Sequence, residues 1–369
     1  MSDSFLVGTR KGLLTYRKEQ GRWCAGPIQF AGSKVPMLLS DARDGTRYVA
    51  VDEGHFGNKM HRSGDGETWE ELPPPTYPAK PDDAPLVLCP MRKKEIPWSL
   101  EMIWSLETGG KDEPGVLWCG TIPGGLFKSA DRGATWELMR SLWDHPGRTK
   151  WFGGGYDYPG IHSISVDPRD SKTITVGISC GGMWQSTDGG SSWQSIGQGM
   201  AAPYAPPEVA GDPGIQDAHR VVSCPAAPEV MWMQHHDGIY HSEDQGKNWT
   251  RIQTARPSDF GFAVAVHPHD PQTAWFAPAV RDEIRLPVDG KVVVSRTTDG
   301  GASFEVFGKG LPDDQACHLI YRHALEVDGS GRRLLMGSTT GSLWISEDAG
   351  ESWTRITAEL PPIFCVRWQ

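Results

Sequence analysis

Ser186-Thr187-Asp188-Gly189-Gly190-Ser191-Ser192-Trp193 is the stretch that decides the fold, because it recurs in register along the 369-residue chain. Copies of the pattern S-x-D-x-G-x-[ST]-W, with small deviations, occupy residues 63–69, 129–136, 242–249, 297–304 and 346–353. Asp and Ser side chains in such a box bond nearby backbone N–H groups and fold a tight turn, and the Trp begins the next strand. Six copies predict a repeat fold, and a residue repeated in every unit serves the unit. We therefore interpret the box Asp residues as structural rather than catalytic.

These boxes carry a family resemblance. The chain resembles the Asp-box (BNR repeat) β-propellers, which include sialidases and many sialidase-like proteins. The opening Gly8-Thr9-Arg10-Lys11-Gly12 is similar to the start of bacterial sialidase-like proteins whose function is largely unassigned. The resemblance covers the whole chain and implies a glycosyl hydrolase-like β-propeller, but it leaves the activity open.

Each unit reads as four short strands, the third of which runs into the box while the fourth starts at its Trp. A seventh unit opens the chain, where residues 8–14 match residues 337–343, and this unit has no first strand of its own. Residues 363–369 in turn have no unit. We predict that they pair beside residues 4–10 and close the ring, since closure removes free sheet edges.

The predicted fold is therefore all-β, a seven-bladed β-propeller forming a single domain over residues 1–369. The predicted blades are residues 4–30 with 363–369, 35–73, 101–140, 161–198, 218–254, 260–307 and 319–357.

Composition narrows the class of partner. The net charge is −10, which disfavours nucleic acid, and no stretch is apolar enough to span a membrane. The N-terminus enters strand-like sequence at once, without room for a signal peptide. Seven Cys residues, an odd number without a C-x-x-C pair, favour reduced thiols. We therefore expect a cytoplasmic protein.

The units are longer than a blade needs, and the surplus lies in four loops. They cover residues 70–100, 137–160, 194–217 and 278–290. In a propeller of this strand order all four share the face opposite the boxes. Repeat proteins usually place binding on such loops, so we predict a central pocket on this loop-rich face.

Alignment of the first strands places His162, His219 and His323 at one equivalent position, where blade six has Phe262 and blade three has Trp104. Three interpretations stay open. The histidines could hold one divalent metal ion, they could act as catalytic residues that bind substrate or move protons, or they could simply line a wet channel.

Other residues near this face are predicted to bind substrate. The basic members suit a carboxylate or phosphate, unless they pair with Glu101, Asp237, Asp282 or Glu283. Adjacent histidines on a strand point to opposite sides, so at most one of His235 and His236 should face His219. The predicted substrate-binding set is Arg10, Lys11, His55, Glu101, Trp104, Tyr158, Arg220, His235, His236, Arg285 and Arg322.

The sialidase active site does not carry over. Sialidases have an Arg-Ile-Pro motif before the first box, which this chain lacks, and no Tyr/Glu pair can be assigned by motif. We predict either an enzyme of the hydrolase or lyase class, with metal assistance open, or a binder of a small anionic or carbohydrate-like ligand. The alternative is a non-catalytic docking or assembly propeller with a protein partner. A true exo-sialidase or glycosidase is less expected.

Overall fold

The computed structural model describes residues 2–369 and forms seven four-stranded antiparallel sheets. The strands in chain order are β1 (Ser4–Thr9), β2 (Gly12–Glu19), β3 (Arg22–Ala25), β4 (Lys34–Ser40), β5 (Arg47–Asp52), β6 (Asn58–Ser63), β7 (Glu70–Leu72), β8 (Met102–Thr108), β9 (Leu117–Ile122), β10 (Leu126–Ser129), β11 (Glu137–Leu138), β12 (Gly160–Asp167), β13 (Asp170–Ser179), β14 (Gly182–Ser186), β15 (Gln194–Ile196), β16 (Ala218–Cys224), β17 (Ala227–His235), β18 (Gly238–Ser242), β19 (Thr250–Ile252), β20 (Gly261–Val266), β21 (Ala274–Pro278), β22 (Val294–Thr297), β23 (Glu305–Phe307), β24 (Leu325–Val327), β25 (Leu334–Gly337), β26 (Leu343–Ser346), β27 (Thr354–Thr357) and β28 (Ile363–Trp368).

Consecutive groups of four strands form blades two to seven, starting at β4, β8, β12, β16, β20 and β24, while blade one has the order β28-β1-β2-β3. The seven sheets form the predicted β-propeller. One α-helical turn, α1 (Arg140–Trp143), and four 3₁₀ turns lie in the loops; the 3₁₀ turns are Gly54–Phe56, Pro146–Lys150, Pro213–Ile215 and Val288–Gly290. Within residues 2–369, no helix has the length and apolar character needed to cross a membrane.

The predicted ring closure is confirmed. Strand β28 pairs with β1 in antiparallel register, from Phe5 opposite Trp368 to Thr9 opposite Ile363. The Trp368 ring packs edge-on against Phe5, with centroids 5.5 Å apart, and lies 5.9 Å from Trp23. The closing strand is therefore fixed by its ladder and by an aromatic cluster.

The boxes form self-contained turns between the third and fourth strands. In the box at 186–193, the Ser186 hydroxyl donates to Asp188 Oδ1 (2.8 Å) and accepts from the Gly190 N–H (2.8 Å). Asp188 also accepts from the Ser192 N–H (2.9 Å) and hydroxyl (2.6 Å). The same carboxylate bonds recur at Asp131, Asp244, Asp299 and Asp348. Each turn thus satisfies its own polar groups.

Glycines in the second strands let neighbouring blades approach. A Cβ built on Gly120 would lie 2.6 Å from the Ile161 carbonyl oxygen of blade four, and one on Gly8 would lie 2.7 Å from the Val35 carbonyl oxygen of blade two. No side chain fits these gaps. The Gly that opens the sequence Gly8-Thr9-Arg10-Lys11-Gly12 is therefore required where one blade meets the next.

A β-bulge recurs near the start of the inner strand in blades one to six. The register shifts there by one residue, for example between Ile103 and Ser105 and between Ala218 and Arg220. Blade seven has an isolated bridge at the matching position. The residues at this position are Phe364, Pro36, Trp104, His162, His219, Phe262 and His323. We call this set the bulge ring; it contains the aligned histidines of the sequence analysis.

Candidate functional site

A cavity of about 880 Å³ occupies the centre of the propeller, on the face where the inner strands begin. All seven blades contribute to its wall. Because the inner strands begin at one face and the boxes connect the third and fourth strands at the other, the cavity lies opposite the box rim. Six of the seven bulge-ring residues line it, and His162 is the exception.

The four long loops also reach this cavity. Met91 comes from the first loop, Tyr156 from the second, Tyr204 and Asp217 from the third, and Arg285 from the fourth. The surplus sequence of the blades is therefore gathered around one opening, and it supplies much of the aromatic and charged surface there.

Arg322 is the buried cation of the cavity. Its side chain lies between two aromatic rings, with the guanidinium carbon 4.8 Å from the Trp104 centroid and 5.3 Å from the Phe262 centroid. Arg322 is 9% exposed, and its Nε atom has no hydrogen-bond partner within residues 2–369. Burial lowers the pKa of this guanidinium, and the Asp217 carboxylate acts against that through space.

A carboxylate and two imidazoles converge beside it. Asp217 Oδ2 lies 3.6 Å from His219 Nε2 and 3.5 Å from His236 Nδ1. In the described part of the chain, this is the group of His, Cys, Asp and Glu whose ligand atoms all lie within 4.8 Å of one another, as a metal ion would require. It shares only His219 with the metal set predicted from sequence, because the other two members come from a loop and a hairpin.

Each member of this Asp217–His219–His236 group is held by the surrounding structure. Asp217 Oδ1 accepts hydrogen bonds from the Ser179 hydroxyl and the Cys180 N–H, both at 3.1 Å. The His236 N–H donates to the Asp217 carbonyl (2.9 Å). The group is therefore placed before any ligand arrives.

His219 is fixed from two sides. Its Nδ1 hydrogen-bonds to the Gly261 carbonyl (2.7 Å), and its ring stacks on Phe262 with centroids 4.4 Å apart. A carbonyl only accepts, so Nδ1 carries the hydrogen. In the neutral ring, Nε2 therefore presents a lone pair towards Asp217.

The pKa values of Asp217 and His219 are lowered, whereas that of His236 is raised. Burial alone would raise the pKa of the Asp217 carboxyl, but His219, His236 and Arg322 together hold it well below its ordinary value. Burial lowers the pKa of His219, with Asp217 opposing the shift. Asp217 raises the pKa of the more exposed His236.

His162 and His323 are also buried. Both are less than 5% exposed, and burial, together with nearby arginines, holds the pKa of each well below its ordinary value. His323 lines the cavity and neither of its ring nitrogens has a partner within residues 2–369. His162 is packed under Trp104, with ring centroids 5.4 Å apart, which removes it from the cavity wall.

The structure brings most, but not all, of the predicted site residues together. The predicted residues that line the cavity are Arg10, Glu101, Trp104, His219, His236, Arg285, Arg322 and His323. The predicted residues outside its wall are Lys11, His55, Tyr158, His162, Arg220 and His235.

Physical reasons for these exclusions are visible. His235 is the last residue of β17 and is completely buried against Tyr240, whereas His236 lies in the following turn and lines the cavity. Arg220 donates to the His162 carbonyl (3.2 Å), and burial lowers its pKa to about 9. Tyr158 packs into the core between blades two and three.

Sequence reasoning missed Asp217, Tyr156 and Tyr204. Asp217 stands two residues before His219, and the Asp-x-His spacing was the available signal. The Tyr156 ring meets Trp104 edge-on (5.1 Å), and the Tyr204 ring meets His236 edge-on (5.3 Å). Both tyrosines are in loops, so no repeat alignment could position them.

Comparison with known proteins gives a mixed result. No protein-family model matches the chain. A probable oligoxyloglucan-reducing end-specific xyloglucanase from Neosartorya fischeri is 38% identical over 90 residues, 24% of this chain and 10% of that protein. Xyloglucanases from Hypocrea jecorina and a Paenibacillus species are 25% and 26% identical, and cover 63% and 64% of this chain. The chain spans 23% and 26% of those two relatives.

Solved structures support the fold. An ancestral GH74 enzyme superposes over 91% of this chain and 38% of its own, with a TM-score of 0.56 and 16% identity. YCF48 bound to D1 peptide superposes over 93% of this chain and 89% of its own, with a TM-score of 0.54 and 14% identity. At these identities the likeness shows a shared propeller fold, with a GH74 enzyme among the neighbours.

Proposed function

We propose that the cavity binds an acidic carbohydrate, a sugar that carries a carboxylate, and that the protein is an enzyme of the hydrolase or lyase class acting on it. The observation that carries the proposal is the buried Arg322 guanidinium held between Trp104 and Phe262. A buried charge without a counter-ion is costly, and a planar guanidinium suits a carboxylate, which it can bind through two hydrogen bonds.

The rest of the wall fits a small polar ring. Aromatic side chains with a few directed polar groups are typical of small-molecule sites, and the cavity volume lies within their range. Arg10 also lines the wall, whereas Lys34 and Arg285 are paired there with Asp52 and Asp282. The named activities of the relatives, which are xyloglucanases, support a carbohydrate as the ligand.

The groups around Arg322 support the proposed reaction class. Hydrolysis or elimination at a sugar needs groups that take up and release protons beside the bond that breaks. Carboxylates and imidazoles share this cavity with Arg322, among them Asp217, His219 and Glu101. They support an enzyme more than a docking platform, which has no need of such a group at the centre of the ring.

Isothermal titration with D-galacturonic acid and with its neutral counterpart D-galactose tests the ligand. We expect the acid to bind more tightly, and Arg322→Gln to remove the preference by weakening the acid about 10–100-fold, as loss of a charged hydrogen bond of about 1.5–3 kcal/mol implies. Arg332→Gln is the matched control, because Arg332 is exposed and lies beyond the other end of β24 in the same blade.

Equal affinity for acid and neutral sugar, or an unchanged preference in Arg322→Gln, would contradict the acidic ligand. Release of new reducing ends or unsaturated products from uronate-containing oligosaccharides tests the reaction. Failure of all such substrates, with acid binding retained, would leave a binding protein. Failure of binding as well would favour the docking propeller.

A further inference from the structure

The distances from the Asp217 carboxylate to the nitrogens of His219 and His236 are too long for direct hydrogen bonds. Asp217 Oδ2 lies 3.6 Å from His219 Nε2 and 3.5 Å from His236 Nδ1. An N–H to oxygen bond spans about 2.7–3.2 Å. Both imidazole nitrogens thus lie beyond hydrogen-bond distance of the same carboxylate oxygen, by similar amounts.

Those gaps are close to what a shared metal ion requires. Zinc with bonds of about 2.0–2.1 Å in a tetrahedron holds its ligand atoms about 3.3 Å apart. The three ligand atoms here all lie within 4.8 Å of one another. Two nitrogens and one carboxylate oxygen are also a donor set that zinc uses in catalytic sites, where a fourth position stays open.

The orientation of His219 adds an independent observation. Because Nδ1 donates to the Gly261 carbonyl, the neutral ring turns its Nε2 lone pair towards the Asp217 oxygen, so two acceptors face each other. A metal ion bound between them would satisfy both. A metal-bound histidine almost always donates its other N–H to a carbonyl or carboxylate, as His219 does.

The remaining oxygen of Asp217 is anchored as well. Its Oδ1 atom accepts from Ser179 and Cys180 of blade four, which leaves Oδ2 for the ion. Asp217 is 6% exposed and His219 is 2% exposed, while His236 stands at the cavity wall. An ion held here would keep its open position towards the cavity.

We infer that Asp217, His219 and His236 form a divalent-metal site, suited to zinc, in the wall of the central cavity. The site differs from the histidine set predicted from sequence, because His162 and His323 do not belong to it. It is independent of the acidic ligand, since the ion is bound by protein atoms alone. An ion there would make Asp217 and His219 its ligands and leave proton transfer to other cavity groups such as Glu101.

Equilibrium dialysis of EDTA-treated, tag-free protein against Zn²⁺, followed by elemental analysis, tests the site. We expect one ion per chain, and Asp217→Asn and His236→Ala each to weaken binding more than tenfold. His55→Ala is the matched control, since His55 is exposed outside the cavity, and it should bind Zn²⁺ like the wild type. Melting curves recorded with excess EDTA establish that each variant is folded.

Three results would overturn the inference: no stoichiometric Zn²⁺ in the wild type, full affinity in both site variants, or loss in His162→Ala and His323→Ala with retention in Asp217→Asn. Arg322→Gln should bind Zn²⁺ normally. If the protein binds Zn²⁺ but no acidic sugar, only the acidic-carbohydrate proposal is refuted. If it binds the acidic sugar but no Zn²⁺, only the metal site is refuted.

Discussion

At the box rim, Asp188 accepts hydrogen bonds from Ser186 and from both the backbone and side chain of Ser192. At the opposite face, Arg322 is buried, and its Nε atom has no hydrogen-bond partner among residues 2–369. The rim repeats one hydrogen-bonded turn six times, whereas the cavity wall is built from residues that vary among the blades. Polar groups that satisfy one another serve stability, and polar groups left unsatisfied by the fold are available to a ligand.

Deleting residues 363–369 should have the largest effect, because it breaks both regions together. It removes Ile363, Val366 and Trp368 from the core and Phe364 from the cavity. Burial of three such side chains contributes about 5 kcal/mol or more. We expect a large fall in melting temperature by circular dichroism, and unchanged melting would contradict closure by β28.

Acid should weaken the rim. Hydrogen bonds from Ser192 lower the pKa of Asp188 to about 2, and the pKa of the Asp in every other box is lowered too. A carboxyl whose pKa falls on folding stabilises the protein above its unfolded value of about 3.9. That stability disappears as the pH falls through the folded value. Urea unfolding should show steep loss between about pH 4 and pH 2, and a flat profile there would contradict it.

A single box should have a moderate effect on stability and none on the site. Asp348 accepts from Ser346 and twice from Ser352, so Asp348→Ala should lower the free energy of unfolding by about 1–2 kcal/mol. Zn²⁺ and sugar binding by the folded protein should not change. The matched control is Asp83→Ala, in an exposed loop. Lost binding at unchanged stability would place Asp348 in the site.

Arg322→Leu should have the smallest effect on stability, and it should stabilise the protein rather than destabilise it. Removing a buried guanidinium avoids a desolvation cost of several kcal/mol, which exceeds the cation–π attraction of about 0.5–2 kcal/mol with Trp104 and Phe262. We expect unfolding free energy to stay equal or rise by about 1 kcal/mol in urea titrations. A clear loss would show that Arg322 supports the fold rather than a ligand.

The fold could be predicted because its information is local and repeated. Each box sets one turn, and strand alternation sets the rest, so ring closure by residues 363–369 followed from a unit with a missing strand. The same repetition found Trp104, His219 and His323, since equivalent positions in a repeat share one backbone geometry.

The complete site could not be predicted, because its members come from segments without equivalents. Asp217 precedes a strand, His236 follows one, and Tyr204 lies in a loop of its own length. Whether they meet depends on how the loops pack against one another, and a single sequence has no repeating pattern that predicts such packing. His162 shows the converse: its position was found correctly, but the Trp104 ring covers it.

The bulge ring has a consequence for how such a protein can diversify. Six inner strands present one side chain each from the same backbone irregularity, and blade seven presents His323 at the matching height. Apart from Phe262, which packs in a hydrophobic cluster with Phe260 and Leu319, the ring residues lie outside the hydrophobic clusters of the blades. Substitutions at the six ring positions that line the cavity should therefore alter its chemistry without changing the box turns. These seven positions, which now hold three histidines, three aromatic residues and a proline, form a small set that can be varied in combination. Saturation of these seven codons alone should yield folded propellers with new ligand preferences.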